Sequence, residues 1–231
     1  MYELVGRHRL ELWTIREYLD IRGQTAKVRA NREKALFSHI YNKVREWGYT
    51  ALQNPCQGVK GFRETGRSRY VTDDEFDKVK AHAHFTVIDA MELALLTGQR
   101  PADVLKLRKA DIREGALWIV QNKTGMRLGI EITGELAEVI ARIDDRPKAS
   151  ISDFLIQNEN GQALTKDALR SRFDKARVLA NVSFQFRDIR AKAATDTGDL
   201  AHSQKLLAHK NRQMTEHYIK ARLGERVKPL R

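Results

Sequence analysis

Apolar residues recur at three- and four-residue steps through the N-terminal part of the chain, and this spacing predicts helices. Leu12, Ile15 and Leu19 share one face of a short helix, which we expect to end at Gly23. A longer helix is predicted over residues 25–47, with cations on the face opposite its apolar stripe. The apolar positions of that stripe are Val28, Ala35, Leu36, Ile40, Val44 and Trp47.

The helical pattern stops over Thr50–Val71, a segment that contains Pro55, several glycines and many cations. This composition is typical of a linker between domains. Thr72 then begins a capping box with Glu75, which predicts a helix start. A second helix is predicted over Phe85–Leu96, followed by a Thr-Gly stop.

The next signals are a helix start and a hairpin. Pro101 fits the first turn of a helix, because an amide at that position has no partner within the helix. Arg100 is then expected at a helix N-terminus, where backbone amides also attract an anion. Residues 116–132 alternate apolar and polar positions around a Lys-Thr-Gly turn, which predicts a β-hairpin with Gly125 in the turn and Lys123 near its tip.

Helices dominate the remainder of the predicted structure. The expected elements are helices over Thr133–Asp144 and Thr165–Ala180, a short strand over Phe154–Ile156, and a helical stretch over Phe186–Leu223 with breaks near Gly198 and at Lys210–Asn211. The predicted fold class is therefore mainly α with a small antiparallel β-sheet (α+β).

The composition is that of a folded, basic protein. Apolar residues make up 42% of the 231 positions, and 42 Lys and Arg against 30 Asp and Glu give a formal net charge of +12. Such a charge favours polyanions through counterion release. A single cysteine, Cys56, excludes an internal disulfide and a thiolate zinc cluster. We see no membrane span and no signal peptide, so we expect a cytoplasmic location.

Phosphodiester chemistry without a metal needs several cations and a nucleophile. Cations stabilise a pentacovalent phosphate, and a phenol can hold the broken bond as an ester. The candidate catalytic residues of this chain are Arg100, Lys123, Arg187, Arg190, His209 and Tyr218.

Each candidate also has an ordinary interpretation. Arg187 and Arg190 are three apart on a predicted helix, so we expect them to share a face and reach one phosphate. The alternative is a solvated basic face that continues through Lys192. A lone histidine such as His209 before a polar break is usually structural, and Tyr218 by default has a half-buried ring and a solvated hydroxyl.

Two sets of residues could mimic a metal site, and neither supports one. The histidines lack metal-ligand spacing, and helix capping explains the acidic cluster better. We therefore expect neither a metal nor a cofactor. The two sets are His202, His209 and His217, and Asp73, Asp74 and Asp77.

Taken together, residues 69–220 resemble the catalytic domain of the tyrosine recombinases, the phage integrase family. TGQRPADVL is similar to the family's first arginine box, and QNKTGMRLGIEIT is similar to the hairpin that carries its lysine. FRDIRAKAATDTGDLAHSQKLLAHKNRQMTEHYIK resembles the second box, which has an H-x-x-R motif, a Leu-Gly-His segment and then the tyrosine. The boxes stand in the family's order, which is more specific than any one of them.

The resemblance implies a site-specific recombinase that integrates or excises a mobile element through a 3′-phosphotyrosine intermediate. Tyr218 would be the nucleophile, while Arg100 and Arg190 would hold the non-bridging oxygens. Lys123 would protonate the leaving 5′-oxygen, and His209 would hydrogen-bond the phosphate. The implied partners are double-stranded DNA, a homo-tetramer on two recombination sites and accessory DNA-bending proteins.

Two positions depart from the family pattern. Arg187 stands where the H-x-x-R motif has histidine, and Ala208 replaces the glycine of Leu-Gly-His. An arginine, with a pKa above about 12, does not accept a proton near neutral pH. Arg187 would therefore contribute charge and hydrogen bonds, and the role of base would pass to another group or to solvent.

The resemblance also implies a domain organisation. Residues 1–60 resemble the closing part of a helical core-binding domain, 61–71 a basic linker and 72–231 the catalytic domain. Two other function classes remain open, a type IB topoisomerase-like enzyme and a catalytically silent DNA-binding protein. Relaxation of supercoiled plasmid without product exchange would favour the topoisomerase, and a lack of covalent adducts on nicked DNA would favour the silent binder.

Overall fold

A computed structural model of the protein describes residues 10–66, 69–146 and 152–223. The chain forms two compact units, Met1–Arg67 and Ser68–Arg231. Helices predominate, and the second unit contains a small antiparallel sheet of three strands. The predicted fold class is confirmed.

The first unit contains one long helix, α1 (Leu12–Glu46). A kink at Ala26, where φ is −154° and ψ is 68°, divides α1 into two helical segments. The predicted shorter and longer helices are therefore present, but the break between them lies three residues after Gly23, where the shorter helix was predicted to end. Gly23 has a packing role instead. A Cβ atom there would lie 2.2 Å from the ring of Phe62, so only glycine lets this ring approach the helix.

The segment after α1 packs back onto the helix. The side-chain amide of Asn54 donates to Oδ1 of Asn42 at 2.8 Å. Asn31 donates to the carbonyl of Phe62 and accepts from its amide, both at 2.8 Å. Part of the predicted linker therefore belongs to this unit, while a linker role for residues 61–71 stays a prediction. The buried apolar residues of the unit are Ile15, Leu19, Ala30, Cys56 and Val59.

The second unit carries the remaining helices. They are α2 (Asp73–His82), α3 (Phe85–Thr97), α4 (Pro101–Val104), α5 (Gly134–Asp145), α6 (Lys166–Leu179), α7 (Ile189–Asp196), α8 (Leu200–Leu206) and α9 (Arg212–Leu223). The predicted capping box is confirmed at the start of α2, where Oγ1 of Thr72 accepts from the amide of Glu75 at 3.2 Å.

The sheet has the order β1-β2-β3, with β1 (Ile112–Arg113), β2 (Ala116–Val120) and β3 (Arg127–Glu131). The predicted hairpin is confirmed, because β2 and β3 pair antiparallel and Gly125 takes a φ of +66° in the turn. The left-handed region suits glycine, which has no Cβ to clash there.

The predicted strand over Phe154–Ile156 is wrong. Within the described ranges this segment makes only an isolated bridge, between Arg108 and Phe154. The side chain of Gln157 donates to the carbonyl of Phe154 at 2.6 Å, so a local turn takes up an acceptor that a longer ladder would use.

Helix α3 and helix α7 lie at the centre of the second unit. Helix α3 packs against α5 and α7, and α7 also contacts α8 and α9. Residues 189–195 of α7 are all buried, and Ala191, Ala193 and Ala194 leave room for close neighbours. Two cations, Arg190 and Lys192, are therefore buried on this one helix.

Candidate active site

Arg100 lies at the junction between α3 and α4. Gly98 ends α3 with a φ of +63°, and a Cβ atom there would lie 3.1 Å from the side chains of Leu206 and Leu207. Arg100 then becomes the N-cap of α4, and its carbonyl accepts from the amide of Asp103 at 2.8 Å. This turn directs the chain toward the hairpin.

The predicted attraction of an anion to the helix N-terminus at Arg100 stays a prediction, and the length of the helix limits its strength. Helix α4 has only four residues, so few peptide dipoles add together. The guanidinium itself is therefore the main positive group that this position offers to an anion. Its side chain is 27% exposed, and Nη1 lies 3.8 Å from a carboxylate oxygen of the buried Asp103.

Arg190 is buried on α7, with 4% of its surface exposed. Its guanidinium donates to the carbonyl oxygens of Gly98 and Leu207, the latter at 2.7 Å. Its Nη2 atom lies 3.3 Å from Nε2 of His209. The end of α3, the first turn of α7 and the turn after α8 thus meet at one side chain.

His209 lies in the turn after α8 and is buried. Burial, and then the charges of Arg190 and Arg100, lower the pKa of His209 from its ordinary value of 6.5 to about 4. The imidazole is therefore neutral near neutral pH. Both arginines act on this one ring, so the structure brings Arg100, Arg190 and His209 together as predicted.

The hydrogen bonds assign the tautomer of His209. A guanidinium only donates, so Nε2 accepts from Arg190. The proton of the neutral ring is then on Nδ1, which lies 3.0 Å from Oγ1 of Thr215 and donates to it. Thr215 is buried on α9, so the histidine connects α7 with α9.

Two buried glutamines connect the two arginines, and the sequence analysis missed both. Oε1 of Gln121 accepts from Arg100 at 3.4 Å. Nε2 of Gln121 donates to Oε1 of Gln99 at 2.8 Å and to the carbonyl of Leu207 at 3.1 Å. That carbonyl also accepts from Arg190. The cations therefore belong to one hydrogen-bonded network.

A signal for Gln121 is present in the sequence. Leu117 and Ile119 of β2 are buried, and Gln121 is the next residue on that face of the strand. A polar residue at an inward-facing position is a candidate for a specific hydrogen-bonding role. Gln99 has no comparable local pattern, although it directly precedes Arg100.

Lys123 is exposed in the hairpin turn, as predicted. The turn is attached to α4, because the amide of Asn122 donates to Oδ1 of Asp103 at 2.7 Å, and Nζ of Lys106 donates to Oδ1 of Asn122 at 2.6 Å. The hydroxyl of Thr124 donates to Oε1 of Gln121 at 2.8 Å. The residues on either side of Lys123 are therefore fixed to the network around Arg100.

The two remaining candidate residues, Arg187 and Tyr218, are not placed in the network by the described structure. Arg187 lies in a 3₁₀ turn over Phe186–Asp188 and is exposed, whereas Arg190 is buried, so the predicted common face is not found. Tyr218 lies on α9, three residues after Thr215. Its side chain lies outside the described part of the structure, so its position at the network stays a prediction.

The alternative that Lys192 continues a solvated basic face is wrong. Its side chain is 1% exposed, donates to Asp73 and lies 2.7 Å from a carboxylate oxygen of Asp196. Burial alone would lower the pKa of Lys192, but the hydrogen bonds to Asp196 and Asp73 raise it above its ordinary value. Lys192 is thus a neutralised structural cation.

The arrangement around Arg100 and Arg190 suits an anion. Forked guanidinium donors match phosphate oxygens, and a buried setting makes each charge-assisted hydrogen bond stronger than it is in water. The neutral imidazole of His209 adds a further polar group at the same place. The chemistry that this set of groups supports best is stabilisation of a phosphate that gains charge during reaction.

Two further observations concern the described ranges as a whole. Within them, no helix has both the length and the apolar character of a membrane span. Also within residues 10–66, 69–146 and 152–223, we find no group of three or more His, Cys, Asp or Glu side chains arranged to hold a metal ion.

Comparison with known proteins agrees with this geometry. The sequence profile of the Phage integrase family matches residues 72–224. The chain is 29% identical over 212 residues to the prophage integrase IntE of Escherichia coli (strain K12), and this match covers 80% of the chain and 55% of the relative. It is 31% identical over 199 residues to the integrase of Escherichia phage HK022, with coverage of 79% and 55%. The chain thus spans about half the length of these relatives.

The fold is also similar to that of a solved integrase. A lambda integrase tetramer bound to a Holliday junction superposes with a TM-score of 0.83 and 21% identity, over 95% of this chain and 67% of that chain. At this identity the likeness shows the fold alone. The profile match covers more than half of the sequence and includes every candidate catalytic residue. The chain therefore belongs to the phage integrase family.

Proposed function

We propose that the protein is a site-specific DNA recombinase that integrates or excises a phage or other mobile element. The observation that carries this proposal is the network that joins Arg100, Arg190 and His209, three residues from distant parts of the sequence. Family membership and the integrase relatives support the same function. The net charge of +12 favours DNA as the substrate.

The proposed reaction begins at Tyr218. Its phenolic oxygen attacks the scissile phosphorus, and the bond from phosphorus to the 5′-oxygen breaks, which leaves a 3′-phosphotyrosine. Lys123 gives its proton to the leaving 5′-oxygen. Arg100 and Arg190 hold the non-bridging oxygens as charge develops, and His209 hydrogen-bonds the phosphate.

The reverse step restores the DNA. The 5′-hydroxyl of a second strand attacks the phosphotyrosine, so a new phosphodiester forms and the phenol is regenerated. The ester keeps the energy of the broken bond, and the step needs no nucleotide hydrolysis. Arg187 contributes charge and hydrogen bonds rather than accepting the phenolic proton, which leaves to another acceptor or to solvent.

The proposed assembly is a homo-tetramer on two recombination sites in the cytoplasm of a bacterial host. A lambda integrase of the same fold forms a tetramer on a Holliday junction, which supports the expectation for this chain. Accessory DNA-bending proteins are a further expectation. We also propose that residues 1–60 bind DNA as part of a core-binding domain, that 61–71 form a basic linker and that 72–231 form the catalytic domain.

The test of this function is covalent adduct formation on nicked duplexes taken from the flanks of the mobile element that carries the gene. When a nick lies near the cleaved phosphate, the short fragment that carries the released 5′-hydroxyl diffuses away. The reverse reaction is then prevented, and the protein–DNA ester accumulates. We expect the wild-type chain to give a detergent-resistant adduct and Tyr218→Phe to give none while still binding DNA.

The matched control is Tyr70→Phe, because Tyr70 lies outside the proposed DNA-binding residues 1–60 and its hydroxyl donates to Asp196 at 2.7 Å rather than to the network around Arg100. This variant should form the adduct as the wild type does. An adduct from Tyr218→Phe would contradict the assignment of the nucleophile. A wild-type chain that binds the duplexes but forms no adduct would identify a silent DNA-binding protein, and plasmid relaxation without strand exchange would identify a topoisomerase-like enzyme.

A further inference from the structure

We propose that Gln121 is a positioning residue that fixes the two halves of the cationic site relative to each other, with Gln99 as its partner. The proposal rests on the proposed recombinase function. Arg100 lies on one side of Gln121, and Arg190 reaches it from the other side through the carbonyl of Leu207. Neither glutamine has a role in the proposed reaction steps.

The amide of Gln121 uses all of its hydrogen-bonding capacity. Its oxygen accepts from Arg100 at 3.4 Å and from the hydroxyl of Thr124 at 2.8 Å. Its nitrogen donates to Gln99 at 2.8 Å and to the carbonyl of Leu207 at 3.1 Å. An amide has two acceptor and two donor positions, so each one is occupied here.

This pattern fixes the orientation of the amide. If the side chain were flipped, the amide nitrogen would face the guanidinium of Arg100, and two donors would oppose each other. The residue is 1% exposed, so water does not compensate for a lost partner at low cost. Neither a glutamate nor an apolar side chain of the same length reproduces two donors and two acceptors.

The backbone of Gln121 closes the hairpin turn. Its main-chain amide donates to the main-chain carbonyl of Met126 at 2.9 Å, and its main-chain carbonyl accepts from the main-chain amide of Gly125 at 2.9 Å. Lys123 lies inside this closed turn. The side chain of Gln121 therefore contacts Arg100 and the carbonyl that holds Arg190, while its backbone closes the turn that contains Lys123.

Gln99 extends the connection toward the end of α8. Its Nε2 donates to the carbonyls of Thr97 at 2.8 Å and Leu206 at 3.1 Å, while its Oε1 accepts from Gln121. The two glutamines and the turn after α8 are therefore coupled. We therefore also expect that the effects of substitutions at positions 99 and 121 on the cleavage rate are not independent of each other.

The experiment compares Gln121→Met, Gln99→Met and the double variant in single-turnover cleavage of the nicked duplex at saturating DNA. Misplacement of a reacting group by about 1 Å can cost roughly 100-fold in rate, so we expect each single change to slow cleavage by about 10- to 100-fold. DNA affinity should change little, because phosphate contacts distributed over the protein dominate it. The double variant should lose less than the product of the two single losses.

The matched control is Gln157→Met. The amide of Gln157 also donates to two backbone carbonyls, those of Ser152 and Phe154, but it does not take part in the network. This variant should cleave at the wild-type rate. If Gln121→Met does not fold, Gln99→Met with Gln121 intact still tests the proposal.

A second readout needs no activity. NMR of the ring of His209 reports whether Arg190 and Arg100 keep their positions beside it, and His209→Gln identifies the signal. We expect Gln121→Met to raise the pKa of His209 toward its ordinary value, since Arg100 loses its contact with Gln121 and the carbonyl of Leu207, which accepts from Arg190, loses a second donor that helps to hold it in place. A merely structural residue would alter the unfolding free energy without this local shift.

The outcomes separate the two proposals. Folded Gln121→Met and Gln99→Met variants with the wild-type cleavage rate and an unchanged pKa of His209 would overturn the positioning role. Strictly additive rate losses would overturn the coupling of the two glutamines. A wild-type chain that forms no adduct, while the pKa of His209 still moves in Gln121→Met, would overturn the recombinase function and keep the positioning role.

Discussion

Two buried cations lie two residues apart on α7, and the acceptors that the described residues offer them differ in kind. Arg190 donates to backbone carbonyl oxygens and contacts a neutral imidazole. Lys192 pairs with the carboxylates of Asp73 and Asp196. Carbonyl acceptors orient a guanidinium without cancelling its charge, whereas carboxylates neutralise an ammonium.

The difference distinguishes a structural cation, Lys192, from Arg190, the cation that we propose to act in the reaction. Both side chains are almost fully buried, so exposure does not distinguish them. The two cations differ instead in the type of group that accepts their hydrogen bonds. The interactions of Lys192 connect α7 to the start of α2 and to Tyr70, whose ring lies 5.3 Å from Nζ. The contacts of Arg190 instead converge on the place where Arg100 and His209 meet.

The largest expected effect is the difference in cleavage rate between two variants, each of which replaces one of these cations by methionine. Arg190→Met should slow adduct formation by about 100- to 1000-fold, the usual cost of removing one donor to a developing charge. Lys192→Met should change the cleavage rate little, because this ammonium is already neutralised. Single-turnover cleavage of both folded variants checks the comparison. An equal loss in both would show that α7 needs two cations for the reaction.

The next effect is the pH dependence of His209. Its pKa is about 4 in the folded chain and 6.5 ordinarily, so between these values the unfolded chain binds a proton that the folded chain excludes. Stability should therefore fall as the pH falls through this window, by about 2 kcal/mol between pH 7 and pH 5. Lys192, whose pKa is raised, stays protonated throughout.

Urea unfolding of the wild type and His209→Gln at several pH values measures this contribution. Glutamine does not titrate, so the difference between the two unfolding free energies isolates the histidine. The wild type should lose its advantage as the pH decreases. Two parallel profiles between pH 7 and pH 4 would contradict the depressed pKa.

A smaller effect is expected for the stability of Lys192→Met. Asp73 is 86% exposed and Asp196 is 35% exposed, so water can solvate both carboxylates after the ammonium is lost. We expect a change of about 1 kcal/mol or less, because methionine fills a similar volume and the carboxylates that remain are not left as buried, uncompensated charges. Lys192→Ala, which leaves a cavity, should cost more, about 2 kcal/mol or above. If urea unfolding gave Lys192→Met a lower free energy of unfolding than Lys192→Ala, this view would be contradicted.

The smallest expected effect is at Ala208. Its φ of +50° lies in the left-handed region, which costs a residue with a Cβ about 1–2 kcal/mol. Glycine removes that strain but gains entropy in the unfolded chain, so we expect Ala208→Gly to stabilise by about 0.5–1 kcal/mol. The control, Ala180→Gly, replaces an alanine with a φ of −74° and should destabilise instead. Thermal unfolding of both variants measures the contrast, and a destabilised Ala208→Gly would contradict it.

Local patterns in the sequence predicted the local elements well. The capping box at Thr72 and the hairpin with Gly125 depend on neighbouring residues only, and both are present. The division of α1 into a shorter and a longer helix was predicted as well, but the exact position of the kink at Ala26 was not, because neither a proline nor a glycine marks this residue. The failed helix end at Gly23 has a tertiary cause, since the ring of Phe62 selects glycine there.

The same distinction applies to the candidate site. The family's motifs identified Arg100, Arg190 and His209, and the structure joins them. The burial of Lys192 was missed because Asp73 lies 119 residues away in the sequence, so no local pattern indicates the ion pair. The expected shared face of Arg187 and Arg190 failed because a 3₁₀ turn, rather than an α-helix, precedes α7. In contrast, strand alternation contained the signal for Gln121.

The most direct test of the central claim is to locate the covalent bond. The wild-type adduct on nicked DNA is digested with nuclease and trypsin, and mass spectrometry identifies the peptide that carries a residual nucleotide. We predict that this peptide contains Tyr218, linked through its phenolic oxygen to a 3′-phosphate. A nucleotide attached to another residue, or joined through a 5′-phosphate, would contradict the account.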